Sequence, residues 1–220
     1  MSDENETNKL WKIRVTLMEM CRARGYVVDD DEINLSLQGF KDKFGDRPGS
    51  GRPSRTDLNI QVFHSTDVND QMFIFFPEDA KIGVKIIKEY CQRMKCENVK
   101  RAILVLQGGL TPSAKQAILT MAPAYVIEYF LENELVINVT KHCLVPEHIV
   151  LTPDEKMAVL KKYKLQEHQL NRIVMNDPVC RFFGCKKGQV IQINRPCEDD
   201  DSEDENAEKG PTTVAYRLVV

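Results

Sequence analysis

The segment best suited to holding a charged ligand is Thr111-Pro112-Ser113-Ala114-Lys115. Thr111 followed by Pro112 is typical of a capped helix that begins at the proline. A helix N-terminus exposes free N–H groups and a partial positive charge, which suit a phosphate oxygen. Ser113 adds a hydroxyl group and Lys115 adds a cation. The residues alone favour an ordinary cap that contacts water, and they leave a phosphate contact open as the alternative.

Asp57 is the carboxylate that best fits a nuclease of the restriction-enzyme type. Such a site needs a second carboxylate and a lysine, two residues apart on a neighbouring strand, to hold Mg²⁺. The neighbouring strand predicted at residues 71–76 supplies neither, so Asp57 is expected to satisfy backbone donors at a turn or strand end. The sequence has no Gly-x-Ser-x-Gly elbow, and Gly108-Gly109 lacks the lysine of a phosphate-binding loop. Hydrolase, nuclease and nucleotide-binding chemistry are therefore disfavoured.

Cysteines and histidines offer the residue types of a zinc site. They form two pairs with four intervening residues, Cys91/Cys96 and Cys180/Cys185, and one cluster, His142, Cys143 and His148. No Cys-x-x-Cys knuckle is present, and a helix at 178–183 would direct Cys180 and Cys185 differently. We expect buried thiols that act as small apolar residues, with no metal and no cofactor. His142 and His148 are expected to brace Pro146 and a partner chain.

Composition narrows the class of protein. A chain of 220 residues that is 42% hydrophobic can bury one large core or two modest ones. No run of eighteen apolar residues occurs, so no membrane contact is predicted. The acidic, polar N-terminus is not typical of a targeting signal. Seven scattered cysteines favour a reducing compartment, the cytosol or the nucleus.

The net charge of −3 is unevenly distributed. Eight acidic residues and one lysine between positions 198 and 209 carry −7, which leaves +4 for the rest of the chain. We interpret residues 197–210 as an acidic insert. Ser202, which precedes three acids, is a hypothetical phosphorylation site of an acid-directed kinase.

Hydrophobic periodicity predicts an α/β (α+β) protein with two domains. Residues 1–140 are expected to form a mixed sheet with helices, and residues 141–220 a smaller α/β domain that contains the acidic insert. Helices are predicted around Leu10–Met20, from Asp30 to Gly45, along Ile82–Met94 and after Thr111. Strands are predicted at 58–62, 72–76, 102–106, 125–130 and 135–140.

The second domain begins with clear capping signals. Thr152-Pro153-Asp154-Glu155 is a capping box, and the following helix is expected to turn Met157, Leu160 and Tyr163 inward. A shorter helix is predicted around Gln166–Ile173. A helix, a turn and a strand follow at 177–193, and the final strand, 214–220, is expected to pair with 190–194.

Residues 177–193 have the composition of a docking surface. Asp177 caps a helix that starts at Pro178 and ends at Gly184, and Lys186-Lys187-Gly188 forms a basic turn. Aromatic residues ringed by basic ones are typical of interface hot spots. The apolar members are Val179, Phe182 and Phe183, and the basic members are Arg172, Arg181, Lys186 and Lys187. The alternative places the phenylalanines in the core, and we expect one to be buried and one not.

Several strings in this order resemble one family along nearly the whole chain. Residues 177–193 resemble the C-terminal assembly module of the fifth-largest subunit shared by the three eukaryotic nuclear RNA polymerases, a module that stands alone as a small, separate component of the archaeal RNA polymerase. Matching strings are His142-Cys143-Leu144-Val145-Pro146-Glu147-His148, Gly51-Arg52-Pro53, Arg55-Thr56-Asp57-Leu58, Gln71-Met72-Phe73, Phe75-Phe76-Pro77 and Thr111-Pro112-Ser113-Ala114-Lys115. The departures are Asn171 for a proline, Cys143 for a glutamate, and the acidic insert.

The resemblance implies two binding surfaces and no catalysis by this chain. In the family, the segment Thr111, Pro112, Ser113, Ala114 and Lys115 lies in the lower jaw beside downstream duplex DNA. Arg52 and Arg55 either extend that basic surface or belong to a mobile, solvated loop, and the two alternatives carry equal weight. Such contacts position the duplex without reading its sequence. Binding to the largest polymerase subunit is implied for His142, Leu144, Val145, Pro146, His148, Arg172, Asp177, Pro178, Arg181, Phe182, Gly184, Lys186, Lys187 and Gly188.

The resemblance also implies a nuclear location and no small-molecule substrate. Polymerisation would belong to other subunits. Two other classes stay open at this point, a nuclease-like enzyme and a free-standing transcriptional adaptor.

Overall fold

The chain forms two compact units, Met1–Ile137 and Asn138–Val220, called here the first and second units. The structure, a computed structural model, describes residues 3–46, 54–196 and 212–220. Arg52 and the acidic insert fall outside these ranges, as do Ser202 and Cys197. Within the described residues, no helix has the length and apolar content to cross a bilayer.

The first unit combines helices with a sheet. Its helices are α1 (Asp3–Ala23), α2 (Asp30–Ile33), α3 (Leu37–Phe44), α4 (Val84–Cys96), α5 (Pro112–Met121) and α6 (Glu132–Leu135). Its strands are β1 (Ile60–Phe63), β2 (Gln71–Phe75), β3 (Lys81–Ile82), β4 (Arg101–Leu106), β5 (Gly109–Leu110) and β6 (Val126–Leu131). A 3₁₀ turn covers Arg55–Leu58.

The main sheet of the first unit has the strand order β1-β2-β4-β6. Strand β1 is antiparallel to β2, whereas β2, β4 and β6 run parallel, so the predicted mixed sheet is confirmed. Because β2 and β4 are central, nearly all of their side chains are buried. One face contributes Phe73, Phe75 and Leu104 to a core that α4 and α5 complete.

Helix α1 matches its predicted apolar face. Leu10, Ile13, Leu17 and Met20 are all buried. The chain leaves the helix through Gly25, whose φ of +87° suits a residue without a Cβ atom.

The predicted helix from Asp30 to Gly45 is wrong as one element, because it is interrupted between Ile33 and Leu37. The Ser36 hydroxyl accepts a hydrogen bond from the N–H of Gly39 at 3.0 Å and caps a new helix, α3. Serine often stabilises such a cap at the expense of the helix interior. Gly45 ends α3 as predicted.

Two further predictions in the first unit are wrong. Residues 135–140 do not form a strand, since α6 ends at Leu135 and a 3₁₀ turn covers Val139–Lys141. The Asn138 side chain stabilises that turn by accepting from the Thr140 N–H at 2.9 Å. Ile82 lies in β3, and α4 begins only after Gly83.

The second unit is built on a sheet ordered β7-β9-β10-β8. The strands are β7 (Glu147–Val150), β8 (Asn171–Ile173), β9 (Val190–Pro196) and β10 (Thr212–Val219), and the helices are α7 (Pro153–Tyr163) and α8 (Pro178–Phe183). The predicted pairing of the last two strands is confirmed: β9 and β10 are antiparallel from Val190↔Leu218 to Pro196↔Thr212.

Each face of this sheet carries its own apolar cluster. One contains Ile191, Ile193 and Val219 with Cys180 of α8. The other contains Val190 and Leu151, and Val159 and Leu160 of α7 pack against it. The second unit is therefore a sheet covered on both faces by short helices.

Two predictions in the second unit are corrected. Met157 is 61% exposed, so its predicted inward position is wrong, whereas Leu160 packs on the sheet. Tyr163 is 47% exposed, and its ring centroid lies 5.8 Å from that of Tyr216 on β10. Residues 166–173 form a 3₁₀ turn at Glu167–Gln169 and then strand β8, because Asn171–Ile173 pairs with the last strand. That partner lies more than forty residues away along the chain.

Candidate interaction surfaces

The N-terminus of α5 carries the predicted DNA-contacting segment. Thr111 caps the helix as predicted, and its hydroxyl accepts from the Ala114 N–H at 3.2 Å. Ala114 is buried, so its side chain faces the core. Pro112, Ser113 and Lys115 are exposed. The hydroxyl of Ser113 and the ammonium group of Lys115 are thus open to a ligand.

A backbone clamp fixes the position of this helix terminus. The short strands β3 and β5 pair in parallel, and the Thr111 N–H donates to the Ile82 carbonyl at 3.1 Å. The Gln107 side-chain amide donates to the Glu78 carbonyl at 3.0 Å. A Cβ atom on Gly108 would lie 2.6 Å from the Ala80 carbonyl oxygen, so this position excludes any side chain.

Sequence reasoning missed this clamp. In the sequence, the pair Gly108-Gly109 indicates a turn that lacks the pattern of a phosphate loop, and nothing more. A glycine two residues after a buried strand is the available signal, since glycine there often marks a close approach of backbone.

The side chain of Arg55, predicted as part of the DNA-contacting surface, is held in an ion pair within the first unit. Its guanidinium group forms an ion pair with Glu132, which is only 5% exposed. The Lys9 ammonium group lies 2.8 Å from the same carboxylate. The Arg55 side chain is only 12% exposed. The charge of Arg55 is thus paired inside its own unit, and its part in a DNA-facing surface stays a prediction. Arg52, its predicted neighbour, falls outside the described residues.

The segment His142–His148 forms a turn and then enters β7 at Glu147. The Val145 N–H donates to the His142 carbonyl at 2.9 Å, and the Leu144 N–H donates to Nδ1 of His142 at 3.2 Å. His148 braces Pro146 as expected, with its Nδ1 2.6 Å from the Pro146 carbonyl oxygen. Leu144 is 83% exposed. The turn therefore presents an apolar side chain to the outside.

A pocket of about 470 Å³ lies beside this turn. The residues that line it come from the turn, from β7 and from the end of α8: Thr140, Lys141, His142, Cys143, Val145, Pro146, Glu147, His148 and Phe183. The second unit thus brings two predicted interface segments, which are far apart in sequence, to one place.

The helix-turn-strand at 177–193 has the predicted local structure. The Asp177 carboxylate accepts from the Val179 N–H at 2.9 Å, and Gly184 ends α8 in the left-handed conformation with φ of +62°. Gly188, with φ of +88°, makes the next turn and donates its N–H to the Val219 carbonyl at 2.9 Å. Lys186 and Lys187 are exposed on that turn.

One phenylalanine of this segment is buried and the other is not, as expected. Phe182 is 5% exposed, whereas Phe183 is half-buried and lines the pocket. The ring of Phe182 lies in the interior of its unit, and its assignment to the interface stays a prediction. Phe183 is the aromatic residue that a partner can reach.

The other predicted interface residues differ in exposure. Exposed are His142, Leu144, Arg172, Pro178, Lys186 and Lys187, and half-buried are Val145, Pro146, His148, Asp177, Arg181, Gly184 and Gly188. The exposed residues include three basic side chains and one large aliphatic side chain. This mixture suits a protein partner better than a small ligand.

The cysteines are only partly as predicted. Cys180 and Cys185 are buried, and burial raises the pKa of the Cys180 thiol above its ordinary value. Cys96 and Cys143 are exposed, so the prediction of buried thiols is wrong for these two. Across residues 3–46, 54–196 and 212–220, no three metal-ligating side chains approach closely enough to hold an ion.

These features describe a two-domain binding protein, and comparisons with known proteins give its family. The model of the RNA polymerase Rpb5 N-terminal domain matches residues 4–94, and that of the Rpb5 C-terminal domain matches residues 137–219. The chain therefore belongs to the RNA polymerase Rpb5 family.

Full-length relatives agree with this assignment. A Caenorhabditis elegans protein named DNA-directed RNA polymerases I, II, and III subunit RPABC1 is 51% identical over 218 residues, which cover 99% of each chain. A Dictyostelium discoideum protein of the same name is 38% identical over 195 residues, 88% of this chain and 93% of its own. The predicted family and the two-domain α/β fold are confirmed. The relatives are named as polymerase subunits, which supports the prediction of a structural and not a catalytic subunit.

Proposed function

We propose that this chain is a non-catalytic subunit shared by the nuclear RNA polymerases, with a separate task for each unit. The second unit anchors it to the largest polymerase subunit and acts as the assembly domain. The first unit forms part of the lower jaw and contacts downstream duplex DNA. Its place of action is the nucleus.

The α5 N-terminus is the observation that carries the DNA contact. Its exposed groups are the Ser113 hydroxyl, a neutral donor, and the Lys115 ammonium, a cation. They lie beside the Ser113 N–H, because Pro112 has no N–H and that of Ala114 is bonded to Thr111. Donors of this kind suit phosphate oxygens, and they carry no information about base sequence. The clamp at Gly108 supports the proposal, since a contact that positions a duplex must itself be held rigidly.

Exposed groups of the second unit support the anchoring task. Lys186 and Lys187 project from a turn whose backbone is fixed by Gly188, and Phe183 and Leu144 offer apolar surface. A basic rim beside accessible aromatic and aliphatic side chains is typical of a protein interface.

A charge reversal in each unit separates the two tasks. Lys115→Glu is expected to reduce crosslinking to downstream DNA severalfold while the chain still purifies with the polymerase. The matched control is Lys100→Glu, because Lys100 is exposed and precedes β4, whereas α5 follows the opposite end of that strand. Equal crosslinking of the two variants would contradict the DNA contact.

For the second unit, Lys186→Glu with Lys187→Glu is expected to reduce recovery with the largest subunit. The control reverses another exposed lysine pair of the same unit, Lys161 and Lys162 on α7. Recovery that is equal for both double variants would exclude the basic turn from the interface.

A further inference from the structure

Strand β7 is an edge strand of the second sheet, paired on one side with β9. The register places Ile149 opposite Gln192 and His148 opposite Ile193. The N–H of Leu151 donates to the carbonyl of Val190 at 2.9 Å and extends the same register. This hydrogen bond identifies which residues of β7 face β9.

Residues of an antiparallel pair alternate between hydrogen-bonded and non-hydrogen-bonded positions. Since Leu151 occupies a hydrogen-bonded position, Ile149 and Glu147 do so as well. The backbone N–H and carbonyl groups of His148 and Val150 therefore point away from β9. Among the described residues, these four groups have no hydrogen-bonding partner.

Two other sheet edges of this protein, at β1 and β8, are covered or carry charge. The outer side of β1 is met by Val27, whose N–H donates to the Phe63 carbonyl at 2.8 Å, and by a bridge between Tyr26 and His64. Strand β8 presents the exposed, charged Arg172. Proteins usually protect edges by such means. Strand β7, Glu-His-Ile-Val, contains no lysine, arginine or proline, and Ile149 is 40% exposed.

The edge begins at the pocket described above. Glu147 and His148 belong both to β7 and to the pocket lining, together with the apolar Val145, Pro146 and Phe183. A chain that runs along β7 therefore passes this pocket. A volume of about 470 Å³ is large enough to admit a bulky side chain.

We propose that β7 accepts an extended segment of a partner polypeptide as an added strand, with one apolar side chain of that segment in the pocket. The segment would pair with the outward groups of His148 and Val150, which are spaced about 6.8 Å apart as in any strand. Any of these four groups that a partner buried without a hydrogen bond would cost about 1–3 kcal/mol. An added strand forms hydrogen bonds with all four groups, and the pocket selects the side chain of the bound segment.

The inference rests on the proposed function for the identity of the partner, which is another polymerase subunit.

The decisive variant is Val150→Pro, because proline removes the outward N–H and leaves the hydrogen bonds of Ile149 and Leu151 to β9 in place. The control is Val150→Ala, which shortens the same side chain and keeps the N–H. Each tagged chain is purified with its polymerase, and circular dichroism checks that the isolated chains fold.

Recovery of polymerase subunits is expected to be about tenfold lower for Val150→Pro than for Val150→Ala, the ratio that corresponds to about 1.4 kcal/mol. Equal recovery of the two variants would overturn strand addition while leaving the proposed function intact. Failure of the unmodified chain to purify with a polymerase would overturn both.

Hydrogen exchange provides a test that needs no variant. The amides of His148 and Val150 are compared in the free chain and in the assembled enzyme. Strand addition predicts at least tenfold slower exchange at both amides after assembly. Unchanged exchange at the two amides would show that the edge of β7 is not paired in the assembled enzyme. This measurement tests strand addition even if Val150→Pro fails to fold.

Discussion

The two proposed binding surfaces are built in different ways. In the first unit, a backbone clamp holds one helix terminus, and the proposed contact uses few side chains. In the second unit, exposed lysines, a pocket and an open strand edge lie on the outside of a small sheet. A phosphate contact needs a fixed position and little shape, whereas a protein interface needs area, apolar side chains and matched hydrogen bonds. The difference in construction therefore agrees with the difference in proposed partner.

The first prediction concerns the ion pair of Arg55 with Glu132 in the first unit. We expect Glu132→Ala to cause the largest loss of stability, about 3–5 kcal/mol, because it leaves two cations beside an empty, buried position. Urea unfolding of the isolated chain measures the effect. The control is Glu97→Ala, since Glu97 pairs with Arg93 on the surface and is expected to contribute less than about 1 kcal/mol. Similar losses for the two variants would mean that Arg55 is not held in a buried pair.

Gly108 and Gly109 form a matched pair of neighbouring glycines. Gly108→Ala is expected to destabilise the first unit by about 1–3 kcal/mol, because its Cβ atom would collide with the Ala80 carbonyl. Gly109→Ala should change little, since a Cβ atom there meets open space. Crosslinking to downstream DNA should fall for Gly108→Ala alone. A loss of crosslinking for both variants would separate the DNA contact from the clamp.

Glu32 gives the smallest expected effect and a pH dependence. Burial alone would raise the pKa of the Glu32 carboxyl, but hydrogen bonds from Lys43 and Arg14 outweigh it and hold the pKa below its ordinary value of 4.5. A lowered pKa stabilises the fold above the unfolded-state value and loses that contribution as the pH falls. The difference in unfolding free energy between the unmodified chain and Glu32→Gln should therefore be present at pH 7 and shrink below pH 4.5. A difference that does not change with pH would contradict this account.

Local capping chemistry explains most of what the sequence could predict. Three helices begin with a residue whose side chain accepts a hydrogen bond from a backbone N–H, followed by a proline. These capping residues are Thr111, Thr152 (with Glu155) and Asp177, and each caps its helix in the structure. Such signals act over three or four residues, so no distant contact is needed to interpret them. The family resemblance then supplied the two candidate surfaces.

Contacts between distant residues explain what could not be predicted. Arg55 is 77 residues from Glu132, and no local pattern announces that pairing. Strand β8 looked helical because its pairing with the last strand is invisible in a short window. The Gly108 clamp depends on backbone almost thirty positions earlier in the chain. In each case tertiary structure overrode the local signal.

The hairpin of β9 and β10 has a practical consequence. Its ladder runs as far as Pro196↔Thr212, so the two strands stay in register up to the ends of the intervening fifteen residues, 197–211. A tag or fluorescent label inserted there would leave every rung of the ladder untouched, since closing a longer loop costs little additional entropy. This position is therefore suited to following the chain inside the assembled enzyme.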